Sequence, residues 1–144
     1  MEENFKAFQE KFKTEELLLY QSKYWKWSLH PTQHTLGAGI LSLNRYCEKM
    51  SDISPEESQD LQNIIQVIEH TVSKVFQNQK INYLMLMMVD PHLHYHVLPR
   101  YQQPQEFNGK QWEDKSWRDL PAPETEKYDF EMLHNIKAAL QQNL

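Results

Sequence analysis

Residues 54–77 constrain the fold more than any other stretch of this chain. Ser54-Pro55-Glu56-Glu57 is built as a helix start. Ser54 can cap, Pro55 suits the first helical position, and Glu57 can close a capping box back onto Ser54. Behind it, Leu61, Ile64, Ile65, Ile68, Val72, Val75 and Phe76 fall on one helical face. The pattern predicts one long helix over residues 55–77, and its single apolar stripe has to lie on a broad apolar surface. The flanking segments supply that surface. Trp25, Trp27 and Leu29 alternate with Lys26 and Ser28, the period of a half-buried strand. Leu17 to Tyr20 reads as a strand joined to it through a "QSK" turn, and "AGILSLN" as a third strand. "INYLMLMMV" is apolar on both faces, as a central strand would be, and "HLHYHVL" is the next strand, ended by Pro99. Phe5, Phe8 and Phe12 predict a short helix over residues 4–13, and Met132, Leu133, Ile136 and Leu140 a last one. Strands without βαβ alternation point to an α+β fold. The expectation is an antiparallel sheet of about five strands, one long helix, and N- and C-terminal helices.

At 144 residues the chain is expected to form one domain over 1–144. Its formal net charge of −5 argues against general nucleic-acid binding, while leaving room for a locally positive site. The lone Cys47 excludes an internal disulfide. "MEENFKAFQEKFK" alternates charges with aromatics and lacks the apolar run of a secretory signal. No stretch approaches the roughly 20 apolar residues of a membrane span. These features lead us to expect a cytoplasmic protein that meets neither membrane nor nucleic acid.

His92, His94 and His96 alternate with Leu93 and Tyr95, so three of the seven histidines occupy five positions. On a strand all three point to one face, about 6.5–7 Å apart. Three readings stay open on the residues alone. The histidines can be half-exposed and without a role. They can chelate zinc as a His-x-His pair, with Asp90, His30 or His34 as a further ligand. Or they can serve phosphoryl or nucleotidyl transfer, with the middle imidazole as nucleophile.

His92-Leu93-His94-Tyr95-His96-Val97-Leu98-Pro99-Arg100 resembles the signature of the histidine-triad (HIT) superfamily. Its "VLPR" end looks like the diadenosine-polyphosphate-hydrolase branch, and "WKWSLHPTQHTLGAG" with "VDPHLHYHVLPRY" is similar to a bacterial HIT-like subgroup. The resemblance covers about residues 17–105 and leaves a C-terminal tail and helix, 106–144. It implies a HIT-like fold and a hydrolase or nucleotidyl transferase. The substrate implied is a small nucleotide, a nucleoside phosphate anhydride such as a diadenosine polyphosphate, or a phosphoramidate. His94 would attack the α-phosphorus and form a nucleotidyl-histidine. His96 would meet the phosphate and help the leaving group depart, and His92 would order the site through hydrogen bonds to backbone. The resemblance implies no covalently bound cofactor and no metal of the protein's own, with magnesium arriving on the substrate. It also implies a homodimer paired through the helix and a shared sheet. The alternatives are a nucleotide-binding protein with little or no turnover, or a zinc-binding His-x-His protein.

The match departs from the family pattern just upstream. Where a glycine-rich turn and a glutamine are expected, the chain has Met88, Val89, Asp90 and Pro91, and Pro91 has no N–H to offer a phosphate. Asp90, His34, His30 and Arg100 are the candidate substrate-binding residues. Met85, Met87 and Met88 read as core filler, Cys47 as packing, and His70 and His134 as surface or packing. Residues 101–123 read as an irregular tail that Trp112 and Trp117 pin to the body.

Overall fold

The structure is a computed structural model, and it describes residues 2–122 and 128–144. Part of the expected tail, at 123–127, lies outside the described residues. In chain order the elements are α1 (Glu2–Phe12), β1 (Leu18–Gln21), β2 (Trp25–Leu29), β3 (Gly39–Leu43), a 3-10 turn (Met50–Asp52), α2 (Pro55–Phe76), β4 (Lys80–Leu84), β5 (His94–Arg100), β6 (Gln105–Phe107), β7 (Lys110–Trp112) and α3 (Phe130–Gln141). Five strands pair antiparallel in the order β1-β2-β3-β5-β4, and β6 pairs with β7 in a separate hairpin. This is the expected α+β architecture, with one long helix and a helix at each end.

The start of α2 forms as its residues dictate. Ser54 Oγ accepts from the Glu57 N–H at 3.0 Å, and Glu57 Oε1 accepts from the Ser54 N–H at 2.8 Å. Glu57 also binds the Arg45 guanidinium through both carboxylate oxygens, at 2.7 and 2.8 Å. Ile64, Ile68, Val72 and Phe76 from α2 and Leu133, Ile136 and Leu140 from α3 bury against Trp25, Trp27, Leu41, Leu43, Leu93 and Val97. Full burial of each such side chain stabilises by roughly 1.5–3 kcal/mol. Gly39 is required where β2 and β3 pair. A Cβ there would lie 2.8 Å from both the Ser28 carbonyl oxygen and Trp27 Nε1.

Strand alternation sends the other residues to the opposite face of the sheet. Ser28 pairs with Ile40, Ile40 with His96, and Ser42 with His94. Directly opposed residues share a face, so Ser28, Ile40, Ser42, His94 and His96 line one surface. Only α1 lies on it. Phe8 and Phe12 form a buried cluster with Ile40, apart from the main core.

Two expectations need correction. "INYLMLMMV" does not make a central strand: β4 ends at Leu84 and is an edge strand. The chain turns away at Met87, whose φ is 53°, and Pro91 brings no ladder donor. Met85 and Met87 still pack against the core, but Met88 is 85% exposed, with Leu86 and Val89 also exposed. The segment after Tyr101 is not wholly irregular either. Asn108 and Gly109 both take positive φ, 54° and 77°, and form the two-residue turn between β6 and β7. Trp112 is buried in the main core beside this hairpin, as an anchor of the tail should be.

Candidate functional site

His92 sits just before β5 and is fully buried. Its Nε2 lies 3.0 Å from the Leu43 carbonyl oxygen, and its Nδ1 lies 3.3 Å from the Cys47 backbone nitrogen. A carbonyl only accepts, so Nε2 carries the proton and Nδ1 accepts from Cys47. His92 thereby ties the start of β5 to the end of β3. Both of its ring nitrogens are engaged by backbone, which removes it from the proposed zinc pair.

His94 Nδ1 lies 2.6 Å from the His92 carbonyl oxygen. By the same rule Nδ1–H donates, and Nε2 is the unprotonated nitrogen. One strand thus fixes the tautomer of its own middle histidine. His96 follows, with its ring 5.2 Å from that of His94.

The loop at 30–38 brings two more imidazoles to the same place. The His30 ring lies 5.5 Å from His96 and 4.9 Å from His34. His30 Nδ1 accepts from the Thr32 N–H at 2.9 Å. Buried Gln33 locks this loop. Its Nε2 donates to the carbonyls of His30 and Ala38, at 2.8 and 2.9 Å, and its Oε1 accepts from the Gly37 N–H at 2.8 Å. His34 and His96 share an apolar groove of about 230 Å³ with Leu84, Leu86, Leu98 and Pro121.

Burial dominates the electrostatics. It pulls His92 down to about 4, and it does the same to His96, with His94 and His34 adding to the effect. His94 is lowered by burial, against the upward pull of the His92 carbonyl and Asp90. His30 falls well below its ordinary value through burial and then through His34 and His96. At neutral pH these four rings are uncharged, so His94 offers a free lone pair.

Of the candidate contacts, His30 and His34 join the triad, and Asp90 lies near it in an ion pair with Lys11 at 2.7 Å. Arg100 is engaged elsewhere. Its guanidinium binds Asp114, Asn82 Oδ1 and the carbonyls of Ser116 and Asp119, at 2.7 to 3.2 Å. His70 and His134 are exposed. Among the described residues, no group of three or more His, Cys, Asp or Glu side chains is placed to hold a metal ion. Two contributors escaped sequence reasoning, the Cys47 backbone N–H and Gln33. A backbone donor leaves no mark on residue type, and a glutamine in a polar loop gives no sign that it is buried.

The HIT domain family matches residues 40–103, which span β3, α2, β4 and the whole triad. Over this stretch the chain is similar to a HIT domain. Solved HIT structures share its fold. A histidine triad protein from Sinorhizobium meliloti superposes with a TM-score of 0.71 at 18% identity, covering 92% of this chain and 93% of that one. The diadenosine triphosphate hydrolase of Plasmodium falciparum, solved with cyclomarin A, gives 0.66 at 11% identity and covers 96% and 95%. A zinc-bound histidine triad family protein from Mycobacterium smegmatis gives 0.60 at 16% identity, covering 88% and 84%. No curated protein sequence matches the chain. Within the matched stretch the three histidines keep their alternation, while Met88 and Val89 are exposed to solvent. No helix among the described residues is long and apolar enough to cross a membrane.

Proposed function

We propose that this protein is a nucleotide hydrolase or nucleotidyl transferase acting on a nucleoside phosphate anhydride or phosphoramidate, with His94 Nε2 as the nucleophile. The observation that carries the reading is the 2.6 Å contact from His94 Nδ1 to the His92 carbonyl, which leaves Nε2 unprotonated. Nε2 attacks the α-phosphorus and a P–N bond forms. The bond from phosphorus to the leaving oxygen or nitrogen breaks, and the departing group takes the electron pair, with a proton from water where it leaves as an amine. Water then attacks the nucleotidyl-histidine, releases the nucleoside monophosphate and restores His94. Neutral His96, one residue pair along the same face, supports this by hydrogen-bonding the phosphate or the bridging atom. Magnesium, where it takes part, comes with a polyphosphate substrate. The cleft of about 590 Å³ between α1 and α3, lined by Phe12, His30, Pro31 and Phe130, suits the nucleoside.

A homodimer completes the proposal: β4 is an open edge of the sheet, and exposed Leu86, Met88 and Val89 follow it. Light scattering at micromolar concentration should give twice the 17.4 kDa chain mass, and a monomer mass would reject it.

A second reading has its own observation. The phosphate turn is replaced by exposed Met88 and by Pro91, and Asp90 is tied to Lys11, which favours a nucleotide binder with little turnover. One panel separates the two. Diadenosine tri- and tetraphosphate and adenosine phosphoramidate are incubated with protein, and released nucleotide is quantified. The P. falciparum neighbour is a diadenosine triphosphate hydrolase, which puts dinucleoside polyphosphates first. The enzyme reading expects turnover that falls by several powers of ten in His94→Asn. Turnover unchanged in that variant rejects it, and nucleotide affinity without turnover selects the binder.

A further inference from the structure

The chemistry above needs a phosphorus atom to reach His94 Nε2, yet His94 is 2% exposed. What covers it is α1. The Phe8 ring lies 4.9 Å from both His92 and His94. Phe12 lies 5.8 Å from His94, 6.3 Å from His96 and 5.5 Å from His30. Phe5 lies 4.9 Å from His92. Rings at these separations are in van der Waals contact, so no phosphate fits between them.

The way α1 is attached differs from the way the other helices are. α2 and α3 bury their stripes in the main core, whereas Phe8 and Phe12 form a separate apolar cluster with Ile40 and otherwise meet imidazoles. Glu2, Glu3, Asn4, Lys6, Ala7 and Glu10 are exposed. At 11 residues, α1 is shorter than the roughly 12–15 residues at which an isolated helix becomes even marginally stable. The chain just after it is anchored: Ser28 Oγ donates to the Thr14 carbonyl at 3.0 Å, and Lys26 pairs with Glu15. Between helix and anchor stands Lys13, with a left-handed φ of 52°. Among the described residues, the ion pair on α1 itself joins Lys11 to Asp90, on the loop leading into the triad.

We propose that α1 is a lid. It closes over the triad in the conformation described, and it swings about Lys13 to let a substrate's α-phosphate reach His94. The lid serves the proposed reaction and so rests on that reading. The occlusion itself does not, and it is read separately from turnover.

The test is carbethoxylation of the full-length protein by diethyl pyrocarbonate, mapped by mass spectrometry, with each histidine's rate divided by its rate in urea. Exposed His70 and His134 are internal standards. The lid predicts that His94 reacts at least about tenfold more slowly than His70, because only the open fraction is reactive. Phe8→Ala and Lys11→Ala should each raise the His94 rate several-fold and leave that of His70 unchanged. If either variant unfolds, hydrogen exchange on the unaltered protein decides. Amides of α1 should exchange at least tenfold faster than those of β5. A His94 rate equal to that of His70, no response to Phe8→Ala in a folded protein, or α1 amides as protected as β5 overturns the lid. A shielded His94 that Phe8→Ala releases, in a protein that turns over no nucleotide, supports the lid and counts against the nucleophile alone.

Discussion

Replacing Arg100 by methionine should destabilise the protein by about 3–5 kcal/mol, because it leaves a buried carboxylate without its cation. The side chains of Arg100 and Asp114 are 4% and 2% exposed. Arg100 uses Nε and both terminal nitrogens, binding Asp114 bidentately at 2.7 and 3.2 Å and reaching Asn82 and the carbonyls of Ser116 and Asp119. Without it, Asp114 keeps, among the described residues, the backbone N–H groups of Tyr101 at 3.2 Å and Ser116 at 3.4 Å. Burial alone pushes the Asp114 carboxyl upward, and these hydrogen bonds together with the Arg100 charge bring it below its ordinary value. The loss is a large part of the roughly 5–15 kcal/mol that holds a domain folded. The pair itself is worth less than the cost of breaking it, so Arg100→Met combined with Asp114→Leu should recover part of the loss. Urea denaturation at pH 7 reads all three variants, with the midpoint shifting at constant slope. A cost below about 1 kcal/mol for Arg100→Met would refute the reasoning. So would a well-folded Arg100→Met protein that loses turnover by orders of magnitude, since that would return Arg100 to the substrate.

Other consequences are equally direct. His92→Ala removes a fully buried ring and strands the Leu43 carbonyl and the Cys47 N–H, so calorimetry and urea should show a loss of about 2–4 kcal/mol. A change within about 0.5 kcal/mol, the scatter of ordinary surface substitutions, would contradict it. Stability should fall as the solution is acidified. His92 and His96 titrate at about 4 when folded against 6.5 when free, so between those values the unfolded chain binds more protons. Their contribution is complete above about 6.5 and is lost as pH falls through 4, for His92 at most about 3 kcal/mol. Glu57 acts with the same sign lower down. Its bond to Arg45 first, together with the Ser54 cap and against the cost of burial, holds it at about 2, so its contribution is complete above 4.5 and is lost as pH falls through 2. A urea midpoint that stays level from pH 7.5 to 4.5 would rule out this linkage. Gly39→Ala should cost about 1–3 kcal/mol through overpacking, and wild-type stability in that variant would show that the β2–β3 approach is looser than described.

What could be read in advance was local. The helix at Ser54 starts where it should because a capping box needs only four adjacent residues. The period of two around His94 survives because a strand fixes side-chain direction by itself. What failed depended on distant neighbours. An apolar run such as "INYLMLMMV" fits a central strand, an edge or a turn equally well, and the pairing of β3 with β5 left β4 only the outer position. Asn108-Gly109 was a legible hairpin signal within a segment read as irregular. At the site, the three histidines and their common face were visible, but what lies over them was not. The spacing of Phe5, Phe8 and Phe12 says that α1 has an apolar face, and nothing in it says that the face meets imidazoles instead of the main core. Arg100 belongs to the triad strand, yet its engagement with Asp114 depends on a loop fourteen residues further on.

The central claim is that the phosphorus becomes bonded to His94, and trapping that bond tests it most directly. Protein is mixed with adenosine phosphoramidate or a diadenosine polyphosphate, quenched within one turnover in alkali, where phosphoramidate linkages to histidine persist, then digested and mapped. The account predicts adenylate on His94 that disappears on acid treatment and is absent from His94→Asn. Turnover without any adduct, or adenylate carried by His92 or His96, would contradict it.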